Sequence, residues 1–150
     1  MTETIPQPGP LADGTAEDAD TAEPAATGAT AGLLVLAPLR LEAHQNADGG
    51  WGEDLRSYDD PAAWSGRGAS TASQTAWALL ALLAAGERDG EAVERGVRWL
   101  AEAQRPDGTW DEPQYTGTGF PRDFYLNYHL YRLAFPVSAL GRYVRGSTHD

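Results

Sequence analysis

The apolar residues of this chain fall into stretches of helical period separated by turn-forming residues. Thr71 to Ala85 is the clearest: Trp77, Leu80 and Ala84 share one side of a helix, and Leu79, Leu82 and Leu83 surround the rest. A segment apolar nearly all round belongs inside, so this stretch is expected to be an inner, buried helix. Thr71 and Gln74 have the spacing of a capping box, and Gly86 supplies the stop. Asp89 to Gln104 is patterned differently. Val93, Val97 and Leu100 make one stripe, while Arg95, Arg98 and Glu102 keep another side polar. Glu91 and Glu94 suit the positive end of the helix, and Pro106 closes it. It is expected to be an outer helix lying over the inner one.

Between Gly117 and Tyr143 the pattern turns aromatic. Placed on a helix at about 100° per residue, Phe124, Tyr128, Tyr131 and Phe135 share a narrow sector, with Leu126 and Leu133 opposite. Two separate apolar stripes predict cover on both sides, and the aromatic one either packs in a core or lines a cavity. Pro136 is expected to break this helix and to start a short last one over Val137 to Tyr143. Near the other end, Leu33 to Leu41 is apolar but interrupted by Pro38, which predicts a short helix starting after the proline and running to Gln45. Residues 52–69, polar and glycine-rich around Asp59-Asp60-Pro61, read as a loop. Residues 1–31 hold six acids and no basic residue. Their low apolar content predicts a disordered acidic tail ahead of a helical domain over 32–150.

One sequence recurs. Gln45-Asn46-Ala47-Asp48-Gly49-Gly50-Trp51 and Gln104-Arg105-Pro106-Asp107-Gly108-Thr109-Trp110 both read Gln-x-x-Asp-Gly-x-Trp, 59 positions apart. The aspartate and glycine make a tight turn, with Gly49 and Gly108 free to take positive φ. Trp51 and Trp110 each supply a flat face against which Gln45 or Gln104 can lie while its amide still bonds backbone. The motif is expected to be a fastener and not a catalytic group. A repeat at this spacing suggests stacked helix pairs.

Composition narrows the classes. Without cysteine, neither a disulfide framework nor a thiolate metal site is available, and His44, His129 and His149 are too few for a histidine-rich centre. The formal charge of −11, with every basic residue an arginine, argues against nucleic acid as a partner. No apolar run approaches the roughly 20 residues a bilayer span needs. A soluble, cytoplasmic chain is expected, with peripheral contact at the inner membrane face left open.

The two turns, with Arg95-Gly96 and Trp99-Leu100 before the second, resemble the QW motif of triterpene cyclases. Gly68–Leu82, GASTASQTAWALLAL, and the closing GTGFPRDFYLNYHLYR with FPVSALGRY are similar to the carboxy-terminal end of bacterial squalene–hopene cyclases. The likeness runs from Leu41 to Tyr143. Repeats alone would also fit protein prenyltransferase β-subunits, but those bind zinc through Asp, Cys and His, which a cysteine-free chain fits poorly.

The resemblance implies an all-α fold, part of an α/α toroid, with squalene or a related polyprene folded in a central cavity and no cofactor. In that family a protonated aspartic acid in a D-x-D-D motif starts a cationic ring closure, and aromatic faces stabilise the passing cations. By motif position, Phe120 and Phe124 match cation-stabilising phenylalanines and Tyr128 a cavity tyrosine, with Tyr131 and Leu126 weaker matches. Arg122 and Asn127 depart from many relatives. No D-x-D-D occurs in the chain. A lone solvated carboxyl is ionised at neutral pH and cannot protonate an alkene, so no catalytic residue is assigned. Three readings follow: a cyclase portion inactive alone, one subunit of a split cyclase completed by a second chain, or a non-catalytic lipid- or protein-binding helical module.

Overall fold

A computed structural model describes residues 28–120 and 123–146, with side chains from residue 36 onward. In chain order these form α1 (Gly28–Ala43), a 3-10 turn (Leu55–Tyr58), α2 (Pro61–Trp64), α3 (Ala72–Ala84), α4 (Glu91–Ala103), strands β1 (Gly117–Phe120) and β2 (Phe124–Leu126), and α5 (Tyr131–Gly146). Helix α3 is the hub, packing against α5 and α4 and, more lightly, α1. Its Ala76, Leu79 and Leu82 are wholly buried, which matches the all-round apolar pattern. Each buried leucine contributes on the order of 2 kcal/mol.

The ends of α3 follow their residues. Thr71 Oγ1 accepts from the Gln74 amide, and the hydroxyl donates back to Gln74 Oε1 at 3.1 Å. Gly86, at φ 89°, takes the left-handed conformation past the last turn. Helix α4 starts at Glu91 with Gly90 as its cap, slightly inside the expected Asp89, and buries Val93, Gly96 and Leu100 toward α3. Gly96 is needed there because a Cβ would lie 2.6 Å from Trp51 Cζ3 and 3.0 Å from Leu79 Cδ2.

Four expectations need correction, and two concern proline. Helix α1 runs through Pro38 and begins at Gly28, inside the stretch expected to be a disordered tail; the remainder of that stretch lies outside the described residues. Helix α5 likewise runs through Pro136 from Tyr131 to Gly146 as one element. Each proline removes one backbone donor from its helix. Both rings are buried, so packing outweighs the local preference. The expected loop over 52–69 contains the 3-10 turn, whose start Asp54 caps, and the single-turn α2, capped by Asp60 with Pro61 at its first position.

The fourth correction is the largest. Phe124 to Phe135 is not one helix: Phe124–Leu126 is a strand, and only residues from Tyr131 are helical. The described residues are therefore mostly helical, as expected, with a small two-stranded sheet that an all-α reading did not include. Strands β1 and β2 are antiparallel, pairing Gly117 with Leu126, Thr118 with Tyr125 and Phe120 with Phe124. Gly119 has no partner and forms a bulge. Phenylalanine and tyrosine favour strands as readily as a 3.6-residue pattern tolerates them, and the glycine-rich run before Phe120 supplies the pairing edge.

Candidate functional site

The aromatic residues singled out from the sequence fall into two contact groups, one on the hairpin and one spanning the link after β2, α5 and α3. Phe120 and Phe124 close the hairpin, their rings 5.8 Å apart and edge to face. Thr118 Oγ1 lies 2.7 Å from the Phe120 carbonyl and 2.6 Å from that of Phe124, tying both to one hydroxyl. Tyr128 lies in the link to α5, packed beside Gly117 and stacked on Tyr131 with centroids 4.7 Å apart. Tyr131 then meets Trp77 of α3 at 5.7 Å and Phe135 at 5.2 Å, both edge on, and Trp77 meets Phe135 at 5.4 Å. Phe120, Phe124 and Tyr128 remain 63%, 46% and 46% exposed. Tyr131, Phe135 and Trp77 are half-buried behind them.

Three polar side chains hold the elements that carry these rings. Asn127 Nδ2 donates to the carbonyls of Glu112 and Gln114 at 2.9 and 2.8 Å, fastening the exit of β2 to the strand's approach. Glu112, buried, accepts from the Ser73 amide at 2.7 Å and the Ser73 hydroxyl at 2.6 Å. Its carboxylate thereby satisfies a free N–H of the first turn of α3, at the end where a negative charge is favoured. Arg132 of α5 donates to the Trp110 carbonyl. Hairpin, α3 and α5 are thus held together by bonds that converge on residues 110–114.

Beside Trp77 opens a cavity of about 530 Å³, floored by Leu41, Trp51, Trp77 and Ala78 and rimmed by Arg40, His44, Glu53 and Gln74. Thr116 lines it, and its buried hydroxyl has no hydrogen-bond partner among the described residues. Among those residues no group of three or more His, Cys, Asp or Glu could hold a metal ion, and no helix is long and apolar enough to cross a membrane.

The two repeated turns have one hydrogen-bond pattern. Gln45 Nε2 donates to the Gly49 carbonyl at 2.8 Å, and Gln104 Nε2 to that of Gly108 at 3.0 Å. The indole N–H of Trp51 reaches the Leu41 carbonyl at 2.7 Å, and that of Trp110 the Leu100 carbonyl at 2.8 Å. Asp48 and Asp107 each accept, at 3.0 Å, from the amide two residues on. Gly49 and Gly108 take φ of 95° and 83°. Each turn therefore fastens the end of the helix before it, α1 or α4, to the tryptophan that follows.

Sequence comparison decides the family. The family model described as the squalene-hopene cyclase C-terminal domain matches residues 23–145. The chain belongs to this family. It is 68% identical over 92 residues to the squalene–hopene cyclase of Alicyclobacillus acidocaldarius, covering 61% of this chain and 14% of that protein. It is 60% identical over 104 residues to the squalene–hopene cyclase of Bradyrhizobium diazoefficiens, covering 69% of this chain and 16% of that one. The dammaradiene synthase of the fern Dryopteris crassirhizoma is 54% identical over 100 residues, covering 64% and 15%. The chain thus spans about one-seventh of the length of these relatives.

For this cyclase-family chain the likeness reaches further upstream than the Leu41 at which the sequence motifs begin, taking in all of α1. The hairpin brings Phe120 and Phe124 together and sets Tyr128 and Tyr131 in a second group. Leu126, placed opposite the aromatic stripe by helical phasing, instead ends β2, half-buried, with Phe124 two residues before it on the same strand. Arg122 lies outside the described residues. Sequence reasoning missed Glu112 and took Trp77 for plain core. A carboxylate just past a tryptophan turn carries no local signature, because its partner Ser73 is 39 positions away.

Proposed function

We propose that this chain supplies one aromatic wall of a triterpene-cyclase cavity and contains no proton donor of its own for the first step. The observation that carries this reading is the family match over 23–145 coinciding with an outward-facing Phe120, Phe124 and Tyr128. The substrate is squalene or a related polyprene. Cation–π attraction of about 2 kcal/mol or more is available where a ring face is desolvated against a cation. Phe120 and Phe124 meet edge to face, so ring faces are left for substrate. Tyr128 keeps one face, its other being stacked on Tyr131. Tyr131, hemmed in by Tyr128, Trp77 and Phe135, acts as the buttress that holds Tyr128 in place.

In this division of labour the chain shapes the path of a cation and leaves its generation to a D-x-D-D acid elsewhere, since these 150 residues contain none. The helix pairs extend into an α/α toroid, with α3 and α5 as inner and α1 and α4 as outer helices. Relatives named for different products, hopene and dammaradiene, carry this same region, so the ring system formed depends on more than this wall.

The test is incubation of the purified chain with squalene, alone and together with a polypeptide supplying the D-x-D-D helices of a bacterial relative. No cyclised product is expected alone, and product is expected on complementation. Phe124→Ala in the complemented pair should divert product toward incompletely cyclised species. Turnover by the chain alone, after contaminating cyclase is excluded, would overturn the reading. An unchanged product spectrum in Phe124→Ala would remove Phe124 from the wall. The exposed wall also favours a second reading, a non-catalytic lipid-binding module, which predicts tryptophan-fluorescence titration by squalene and no product on complementation.

A further inference from the structure

The cavity of about 530 Å³ beside Trp77 has a construction of its own, separate from the exposed rings of Phe120, Phe124 and Tyr128. Four segments build it: the end of α1, the loop after the first turn, the first half of α3, and Thr116 just ahead of β1. Its floor is apolar, with Trp51 and Ala78 buried and Leu41 and Trp77 half-buried. One wall is fixed by a left-handed glycine. Gly66, at φ 67°, lies so close to the His44 ring that a Cβ there would be 2.6 Å from Nδ1. The Gly66 amide donates to Glu53 Oε2 at 2.6 Å, which holds loop and rim together.

The polar groups at this cavity exceed the partners that the chain supplies. Thr116 Oγ1 is buried and has no hydrogen-bond partner among the described residues. A buried hydroxyl left unpaired is costly, so such groups are normally matched. Gln74 commits its Oε1 to the Glu53 amide and the Thr71 hydroxyl, while its Nε2 has only a long contact, 3.4 Å, with the Glu53 carbonyl. The two charged residues of the rim, Arg40 and Glu53, are of opposite sign. An apolar floor is thus bordered by an unmet hydroxyl and an amide donor, with no net charge around them.

We infer that this cavity binds a neutral, hydroxyl-bearing apolar molecule: an alcohol with a compact hydrocarbon body. The body covers Leu41, Trp77 and Ala78, and the hydroxyl pairs with Thr116 and Gln74. An alcohol suits both at once, because its oxygen accepts from Gln74 Nε2 while its proton goes to Thr116 Oγ1. A pure hydrocarbon offers neither group. An anion would face Glu53 and a cation would face Arg40, so a charged head is disfavoured. The volume lies within the roughly 300–1,000 Å³ of small-molecule sites and far exceeds the roughly 30 Å³ of one water. Squalene has no hydroxyl, so this site does not rest on the cyclisation chemistry proposed above.

The test uses the full chain, isotopically labelled, titrated separately with cyclohexanol, cyclohexane and cyclohexanecarboxylate. Saturable shifts with cyclohexanol are expected at Gly66, the Gln74 side-chain amide, the Trp77 indole N–H and Thr116. Thr116→Val keeps the shape of the side chain and removes the hydroxyl. It should weaken cyclohexanol about threefold to tenfold and leave cyclohexane unchanged, since only the alcohol loses a bond. The same variant should unfold at no lower urea than the parent, because valine removes a buried hydroxyl that has no partner. Absence of saturation up to tens of millimolar cyclohexanol overturns the proposal. So do shifts centred on Phe120 and Phe124, equal losses of both neutral ligands in Thr116→Val, or tighter binding of the carboxylate than of the alcohol. An ordered water on Thr116 that cyclohexanol does not displace, seen as a persistent Overhauser contact, overturns it as well. None of these readouts involves squalene turnover, so the two readings fail separately.

Discussion

The ring of Phe124 occupies the space where a side chain on Gly119 would be. A Cβ built on Gly119 falls inside the van der Waals envelope of the ring, touching Cζ and both Cε atoms. Gly119 is also the unpaired residue of the bulge between Thr118 and Phe120. The bulge thus turns Phe120 outward while its glycine makes room for Phe124, and one residue sets the direction of both rings.

Replacing Gly119 with alanine should therefore move Phe124 with little loss of stability, no more than about 1 kcal/mol for an exposed hairpin. Nuclear Overhauser contacts are expected between the Gly119 Hα protons and the ring protons of Phe124. Phe124→Leu should abolish them. If they are absent in the unaltered chain, the ring does not lie against Gly119.

Two glycines in the helix–turn interface should behave oppositely. Gly96→Ala puts a methyl 2.6 Å from Trp51 and 3.0 Å from Leu79 in a filled interior, which should cost about 1–3 kcal/mol. Gly108→Ala meets no atom and carries only the penalty of positive φ, about 1 kcal/mol. Urea unfolding followed by tryptophan fluorescence separates the two. Equal losses would contradict the packing described between α4 and the first turn.

Glu112 and Ser73 join the segment after the second turn to the start of α3. Glu112→Ala strips a buried backbone amide and a hydroxyl of their acceptor, and should cost about 2–3 kcal/mol. Glu112→Gln keeps one acceptor oxygen and should cost less. Amide exchange at Ser73 reports the bond directly and should accelerate in both variants, more in the alanine one.

The first turn should loosen in acid. Burial pushes the Asp48 carboxyl up, but hydrogen bonds from the Ser70 hydroxyl, the Gly50 amide and the Trp99 indole outweigh it and hold the group below its ordinary value. Thr109, through its hydroxyl and amide, does the same for Asp107. A carboxyl depressed in the folded state stabilises fully above its unfolded value and loses that contribution as pH falls through the folded one. Stability should thus be level above about pH 5 and fall below about pH 4. Asp48→Asn should flatten part of that fall, measured as the midpoint of urea unfolding against pH.

Much of the fold is local and was legible in the residue order. The capping box at Thr71, the stop at Gly86, the amphipathic face of α4 and the two Asp-Gly turns each depend on neighbours within one or two helical turns. The family likewise follows from motif order, because its residues are recognised in sequence. What could not be read was decided across distance. Pro38 and Pro136 sit inside helices because packing of their rings outweighs a lost backbone bond. The aromatic stripe at helical spacing became a hairpin, a link and a helix because strand pairing at Gly117–Leu126 and the Asn127 and Glu112 anchors outweighed the local period. Residue order thus determined which turns fasten the helices and where the aromatic side chains fall along the chain. Only tertiary structure decided which way the rings face and which fastener stands open: the rings follow a bulge in a strand pairing that the helical period hid, and the first fastener's partners on α4 lie 47 to 51 positions away.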